Sequence, residues 1–309
     1  MSRAQQVGVF LVCLLAAWPC QWTRANEIAV GGSSQPAGLL LCEPFDYPVG
    51  ARLDSSVAVT GSGFAGQWLE TSFDEESHVE AGSLAAPAGY ARQPSSNRIG
   101  MPAGQGRSFA KAAPLPANAA SLGSSSFFFS FLYRKGPDGD MDVWFSLASG
   151  PIVYHVGLDY VSETSAIYRM TLQGAGNDSQ WGWADVYDGD DYLVVGKATN
   201  DPSGDDSIEL LIYDAAVDVV PASEPNAFLD TLSGIEIGTP SIGSICVQIN
   251  GDARFDELMV GTTWESVIGV PEPATLSLIG LGFWLLAIPR RRRKQAGTGD
   301  ALGFRRRGA

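Results

Sequence analysis

The chain has 309 residues, of which 45% are apolar, enough to pack a core and exclude a disordered polymer. Its 36 glycines and 18 prolines exceed average usage and favour many turns over long helices. Between Glu27 and Pro273, 33 acidic side chains face 10 basic ones, a net of −23, and eight more basic residues lie between Arg290 and Arg307. An acidic body with a basic tail excludes nucleic acid as a partner, because phosphate binding needs cations on the binding face. Two histidines leave little material for His-based catalysis.

The N-terminus carries Arg3, then an unbroken apolar or small stretch from Val7 to Ala17, then Thr23-Arg24-Ala25 with small residues framing a cleavage site. This order predicts a secretory signal peptide over residues 1–25. The stretch falls short of the roughly 20 apolar residues of a membrane span. Trp18-Pro19 before Cys20 disfavours a lipoprotein site.

Residues 26–267 read with a period of two, not 3.6. Val143, Phe145 and Leu147 alternate with Asp142, Trp144 and Ser146, and Ile152, Tyr154, Val156 and Leu158 alternate with Val153, His155 and Gly157. Further predicted strands are 127–133, 166–172, 181–186, 192–197, 208–213, 235–237, 245–249 and 254–260. Turn signals separate them at Gly136-Pro137-Asp138-Gly139, Gly174-Ala175-Gly176-Asn177, Asp188-Gly189-Asp190 and Asp201-Pro202-Ser203-Gly204. Many short strands without a long amphipathic helix predict an all-β antiparallel sandwich or barrel. Residues 81–126, rich in Ala, Gly, Pro and Ser, predict long loops around short edge strands.

After the body, Val270-Pro271-Glu272-Pro273 leads into an apolar run over 274–288, followed by Pro289, Arg290, Arg291, Arg292, Arg293 and Lys294. As a helix the run spans about 22 Å, less than the roughly 30 Å hydrocarbon core, and snorkelling arginines with local thinning make up the difference. The cations hold their end in the cytoplasm and place everything before Pro271 outside. This tripartite tail, 268–294, resembles the bacterial PEP-CTERM sorting signal: Pro-Glu-Pro, a short hydrophobic helix, then an arginine cluster. The resemblance implies an exosortase as partner, cleavage near the motif, and export to the envelope or surface of a Gram-negative bacterium. The chain is then transiently or stably membrane-anchored, with residues 295–309 as a basic cytoplasmic tail.

Glu43-Pro44-Phe45-Asp46-Tyr47-Pro48-Val49-Gly50, Phe127–Tyr133, Tyr192–Lys197 and Phe255–Trp264 together resemble the laminin-G/concanavalin-A-like domains of secreted PEP-CTERM proteins. The resemblance implies a jelly roll opening with the first of these segments, its first and last strands adjacent. Fold alone supplies no function.

Four chemistries compete for this body. Asp185, Asp188, Asp190 and Asp191 offer the oxygen ligands that calcium prefers, or they are turn formers. The Asp138, Asp140, Asp142 series starts like an EF-hand but lacks its glycine and glutamate. A retaining glycosidase needs two carboxylates about 5–5.5 Å apart, and no Glu-x-Asp-x-x-Glu occurs. His155 reads as a solvent-facing strand residue, and His78 sits among Glu75, Glu76 and Glu80. Trp181 and Trp183, two apart, share a face and either stack on a glycan or fill the core. Cys42 and Cys246 either form a disulfide or stay as separate buried thiols. The sequence therefore predicts an exported, non-catalytic protein that binds glycan or protein through a jelly roll. A structural matrix component without a ligand site and a divergent glycosidase are its alternatives.

Overall fold

The computed structural model describes residues 38–269 apart from 54–60, 73–76, 93, 95–96, 101–108, 115–125, 138, 148–151, 174–176, 202–203 and 236–241. The expected signal peptide, Pro271-Glu272-Pro273, the apolar run at 274–288, Arg290 to Arg293 and the tail at 295–309 lie outside the described residues.

Fifteen strands and one short helix are described: β1 (Leu39–Glu43), β2 (Leu69–Ser72), β3 (His78–Ala81), β4 (Asn97–Gly100), β5 (Phe109–Pro114), β6 (Phe127–Arg134), β7 (Asp140–Leu147), β8 (Ile152–Ser162), β9 (Ser165–Gln173), β10 (Asn177–Ala184), β11 (Asp191–Thr199), β12 (Asp206–Asp214), β13 (Asp230–Ile235), β14 (Ile242–Asn250), β15 (Arg254–Gly261) and α1 (Trp264–Ile268). They form two antiparallel sheets. One has eight strands in the order β13-β12-β11-β6-β15-β4-β3, with β1 also on β15; the other has seven, β10-β9-β8-β7-β14-β5-β2. Both sheets feed one core, where Phe127 of β6 meets Phe145 of β7 and Tyr154 of β8 edge-on, at ring-centroid distances of 5.0 and 5.4 Å. The first and last strands are neighbours, Cys42 opposite Met259.

At β6, β11 and β15 the eight-stranded sheet is covered on both sides, which accounts for the unbroken apolar run of β6. Phe127, Phe129, Phe131 and Tyr133 point into the core. Phe128 and Leu132 point outward into a second cluster with Leu84, Tyr90, Trp264, Val267 and Ile268. The helix that supplies part of this cover is held by a capping box between Thr263 and Ser266 and stops at Gly269, whose φ of +80° suits glycine. Ser130, the one polar residue inside the β6 run, donates to the Val267 carbonyl at 2.7 Å.

Two expected strand positions differ. The opening strand is Leu39–Glu43, and the Glu43–Gly50 motif is mostly a turn. The fully buried Glu43 carboxylate organises it, accepting from Phe45 N at 2.9 Å, Tyr47 Oη at 2.8 Å and Trp68 Nε1 at 3.2 Å. Pro44 has no N–H for a ladder, and Phe45 takes a φ of +54°. The strand predicted to begin at 235 begins at Asp230 and is described to Ile235, with Leu232 opposite Ile208; residues 236 and 237 lie outside the described residues.

Candidate functional site

On strands β7 to β10 of the seven-stranded sheet, core residues alternate with a second set of side chains, and chemistry-bearing ones gather on that outer face. Register places Trp144 beside His155, Asp142 beside Gly157, Gly157 beside Arg169, and Arg169 beside Trp181. One step further along, Asp159, Ile167 and Trp183 form a parallel row. Four adjacent strands, β7 to β10, thus present one aromatic and polar band.

At its centre the Asp142 carboxylate is buried, and its Oδ1 accepts from His155 Nε2 at 2.7 Å and from Arg169 Nη2 at 3.0 Å. Asp142 and Arg169 sit two strands apart, so a side chain at the intervening position would separate them. Gly157 occupies it. A Cβ there would lie 2.2 Å from Asp142 Oδ1. The Arg169 guanidinium also lies over the Trp181 ring, 5.0 Å from its centroid, a cation–π contact. Trp144 packs edge-on against His155. Asp159 stands 3.9 Å from Arg169; burial raises its carboxyl above the ordinary value, opposed by Arg169 and reinforced by Asp142 and Asp140.

His155 therefore lies opposite the apolar set, as its position predicts, but it is buried instead of solvent-facing because Asp142 and Trp144 close over it. Trp181 and Trp183 are 53% and 66% exposed, so they are not core. Arg169 braces Trp181, and Trp183 is the more open ring. The signal that could have exposed this band was in the alternation: Asp142, Trp144, His155, Gly157, Arg169, Trp181 and Trp183 share one parity across four strands. Assembling them needs the register, which pattern alone does not fix.

The other expected sites come apart. Asp188 pairs with the buried Lys135 at 2.6 Å, and Asp191 takes Arg134 in a two-pronged contact at 2.5 and 2.8 Å and also accepts from Ala85 N at 2.6 Å. Asp185 and Asp190 are exposed, and Gly189 between the aspartates has a φ of +87°, so the turn-forming role accounts for this segment. Among the described residues, no three His, Cys, Asp or Glu side chains come together to hold a metal ion.

Cys42 and Cys246 are both buried and no disulfide joins them, so of the two alternatives the structure takes the separate buried thiols. Adjacent terminal strands do not bring them together, because Cys246 lies on β14 in the other sheet. Each faces away from the shared core: Cys42 belongs to the cluster under α1, and Cys246 pairs with Trp144 on the outer face of the seven-stranded sheet. His78 lies on β3, in the eight-stranded sheet.

No protein-family model and no curated protein matches the chain. Solved structures similar to it include the CBM2 module of the evolved Dit of Lactobacillus casei BL23 phage J-1, at 11% identity and TM-score 0.42, covering 74% of this chain and 96% of that one. The receptor-binding domain of botulinum neurotoxin C/D mosaic serotype follows at 9% and 0.41, covering 79% and 51%, so the chain spans about half of that domain's length. The endo-β-1,4-glucuronan lyase from the fungus Trichoderma reesei matches at 11% and 0.39, covering 72% and 97%. At such identities and TM-scores the likeness carries nothing about ligand or activity. What the described residues establish is an all-β protein of two packed antiparallel sheets with one outer face that bears exposed tryptophans.

Proposed function

We propose that this is an exported bacterial envelope or matrix protein that binds glycan, without catalysis, on the outer face of its seven-stranded sheet. The observation that carries the reading is the exposure of Trp181 and Trp183 on one face of β10. Two residues along a strand span about 7 Å, so successive sugar faces can meet successive rings. Asp142, His155 and Arg169 supply polar groups beside them, already held by one another. A sandwich of jelly-roll type fits the neighbouring first and last strands. Export, exosortase recognition of Pro271-Glu272-Pro273 with Arg290 to Arg293, and membrane anchoring rest on the sequence of the two ends.

The test is binding of the purified protein to a glycan array, first with calcium and then with EDTA. Saturable binding that survives EDTA is expected, because Asp188 and Asp191 are engaged by Lys135 and Arg134. Trp183→Ala should weaken it roughly tenfold, the equivalent of about 1.4 kcal/mol for one stacked ring. Absence of binding in both conditions overturns the reading, and loss with EDTA alone moves the site to Asp185–Asp191.

A further inference from the structure

We infer that the glycan this face takes is uncharged, and that uronate-bearing or sulfated polymers are rejected; the inference rests on the glycan reading above and specifies its ligand. Across β7 to β10 and β14 the only basic side chains are His155 and Arg169. Both are already engaged by a carboxylate. His155 is buried against Asp142. Arg169 has Nη2 on Asp142 and its Nε buried, and its guanidinium lies over Trp181. Asp142 and Asp159 stand against it at 3.0 and 3.9 Å, and Asp140 is near enough to Asp159 to add to the rise of its carboxyl. A carboxylate or sulfate stacked beside Trp183 meets this acidic set, within a body whose net charge from Glu27 to Pro273 is −23. A neutral ring presents only C–H surface to the tryptophans and hydroxyls to the polar centre, so its binding escapes that repulsion.

The experiment is a calorimetric titration of the full chain with neutral hexasaccharides (cello-, laminari-, manno- and N-acetylglucosamine series) and with oligoglucuronate of the same length. Supporting results are Trp183-dependent binding of a neutral series that is unchanged between about 50 and 500 mM NaCl, and oligoglucuronate at least about tenfold weaker at low salt. Asp159→Asn, which removes one charge from a partly buried position, should narrow that gap, read as the ratio of the two affinities in the same variant, about threefold or more. Equal or tighter Trp183-dependent binding of oligoglucuronate overturns this inference and leaves the glycan reading standing. An unchanged gap in Asp159→Asn also overturns it, since charge would not be the discriminator. No binding of any series overturns both.

Discussion

Gly157→Ala is the substitution that tests how the band is held together. The added methyl would sit 2.2 Å from Asp142 Oδ1 and 3.3 Å from His155 Nε2, and the Asp142 side chain is too short to swing clear while keeping both partners. Asp142 must give up its hydrogen bond to Arg169, to His155, or to both. Each is charge-assisted and worth about 1.5–3 kcal/mol, and Arg169 is 29% exposed, so its share lies at the lower end. A loss of about 2–4 kcal/mol follows, or roughly 5–12 °C in Tm for a domain of this size. Urea unfolding followed by tryptophan fluorescence reads it directly. The cycle with Asp142→Ala is the sharper check. If the methyl acts through Asp142, the double variant is no less stable than Asp142→Ala alone. A Gly157→Ala protein within about 0.5 kcal/mol of the parent, or full additivity in the cycle, refutes the reasoning.

Glu43→Gln should destabilise by about 1–3 kcal/mol, because an amide turns a donor toward groups that already donate; denaturant midpoints check it. Cys42 and Cys246 should be recovered unbridged in disulfide mapping of protein purified under oxidising conditions. Asp256 is buried beside Glu257, and burial first, then that neighbour, pushes its carboxyl well above the ordinary value. A carboxyl raised in the folded state binds its proton more tightly there than in the unfolded chain. Its contribution is therefore fully present at acid pH and fades as pH climbs through the folded value. Asp256→Asn should flatten that decline in urea stability as pH rises above the ordinary carboxyl range of about 4, and a profile parallel to the parent's would sink the assignment. Replacing Pro271-Glu272-Pro273 by three alanines should hold the protein in the membrane fraction, and unaltered surface display would dismiss the sorting reading.

Strand positions from Phe127 onward, β13 apart, were legible because these strands carry either alternation or a doubly apolar run, and Asp/Gly turns bound several of them. The Glu43–Gly50 segment was misplaced because its order comes from one buried carboxylate gripping Tyr47 and Trp68 across 25 residues, which no local pattern announces. β15 hides a similar surprise. Asp256 and Glu257 are adjacent carboxylates, both buried in a strand covered on both sides, and a bulge between Asp256 and Met259 accompanies a φ of +52° at Glu257. Asp256 then accepts from Leu84 N at 3.2 Å and pins the segment covering that sheet. The aromatic band was half legible. Parity put Trp181 with Trp183, but whether their face looked inward or outward depends on which sheet face is roofed.

That roofing also bears on the proposed glycan face. Strands β6, β11 and β15 are buried along nearly their whole length, since α1 and the Leu84–Tyr90 segment seal their outer side. A sheet packed on one side only gains nothing in stability from large rings on its open face, where short polar side chains would serve solubility better. Val143, Phe145, Val156 and Met170 already fill the inner side of the seven-stranded sheet. Trp181 and Trp183 contribute little to that core, and they leave apolar area in water on the terminal strand of the sheet. Folding explains Asp142, Gly157 and Arg169 as a mutually satisfied set, and explains Trp181 in part through Arg169. It does not explain Trp183. A residue that stability does not require, standing beside polar groups fixed in place, is what a binding surface looks like before its ligand arrives, and Trp183→Ala separates the two roles: unchanged unfolding with weakened glycan binding.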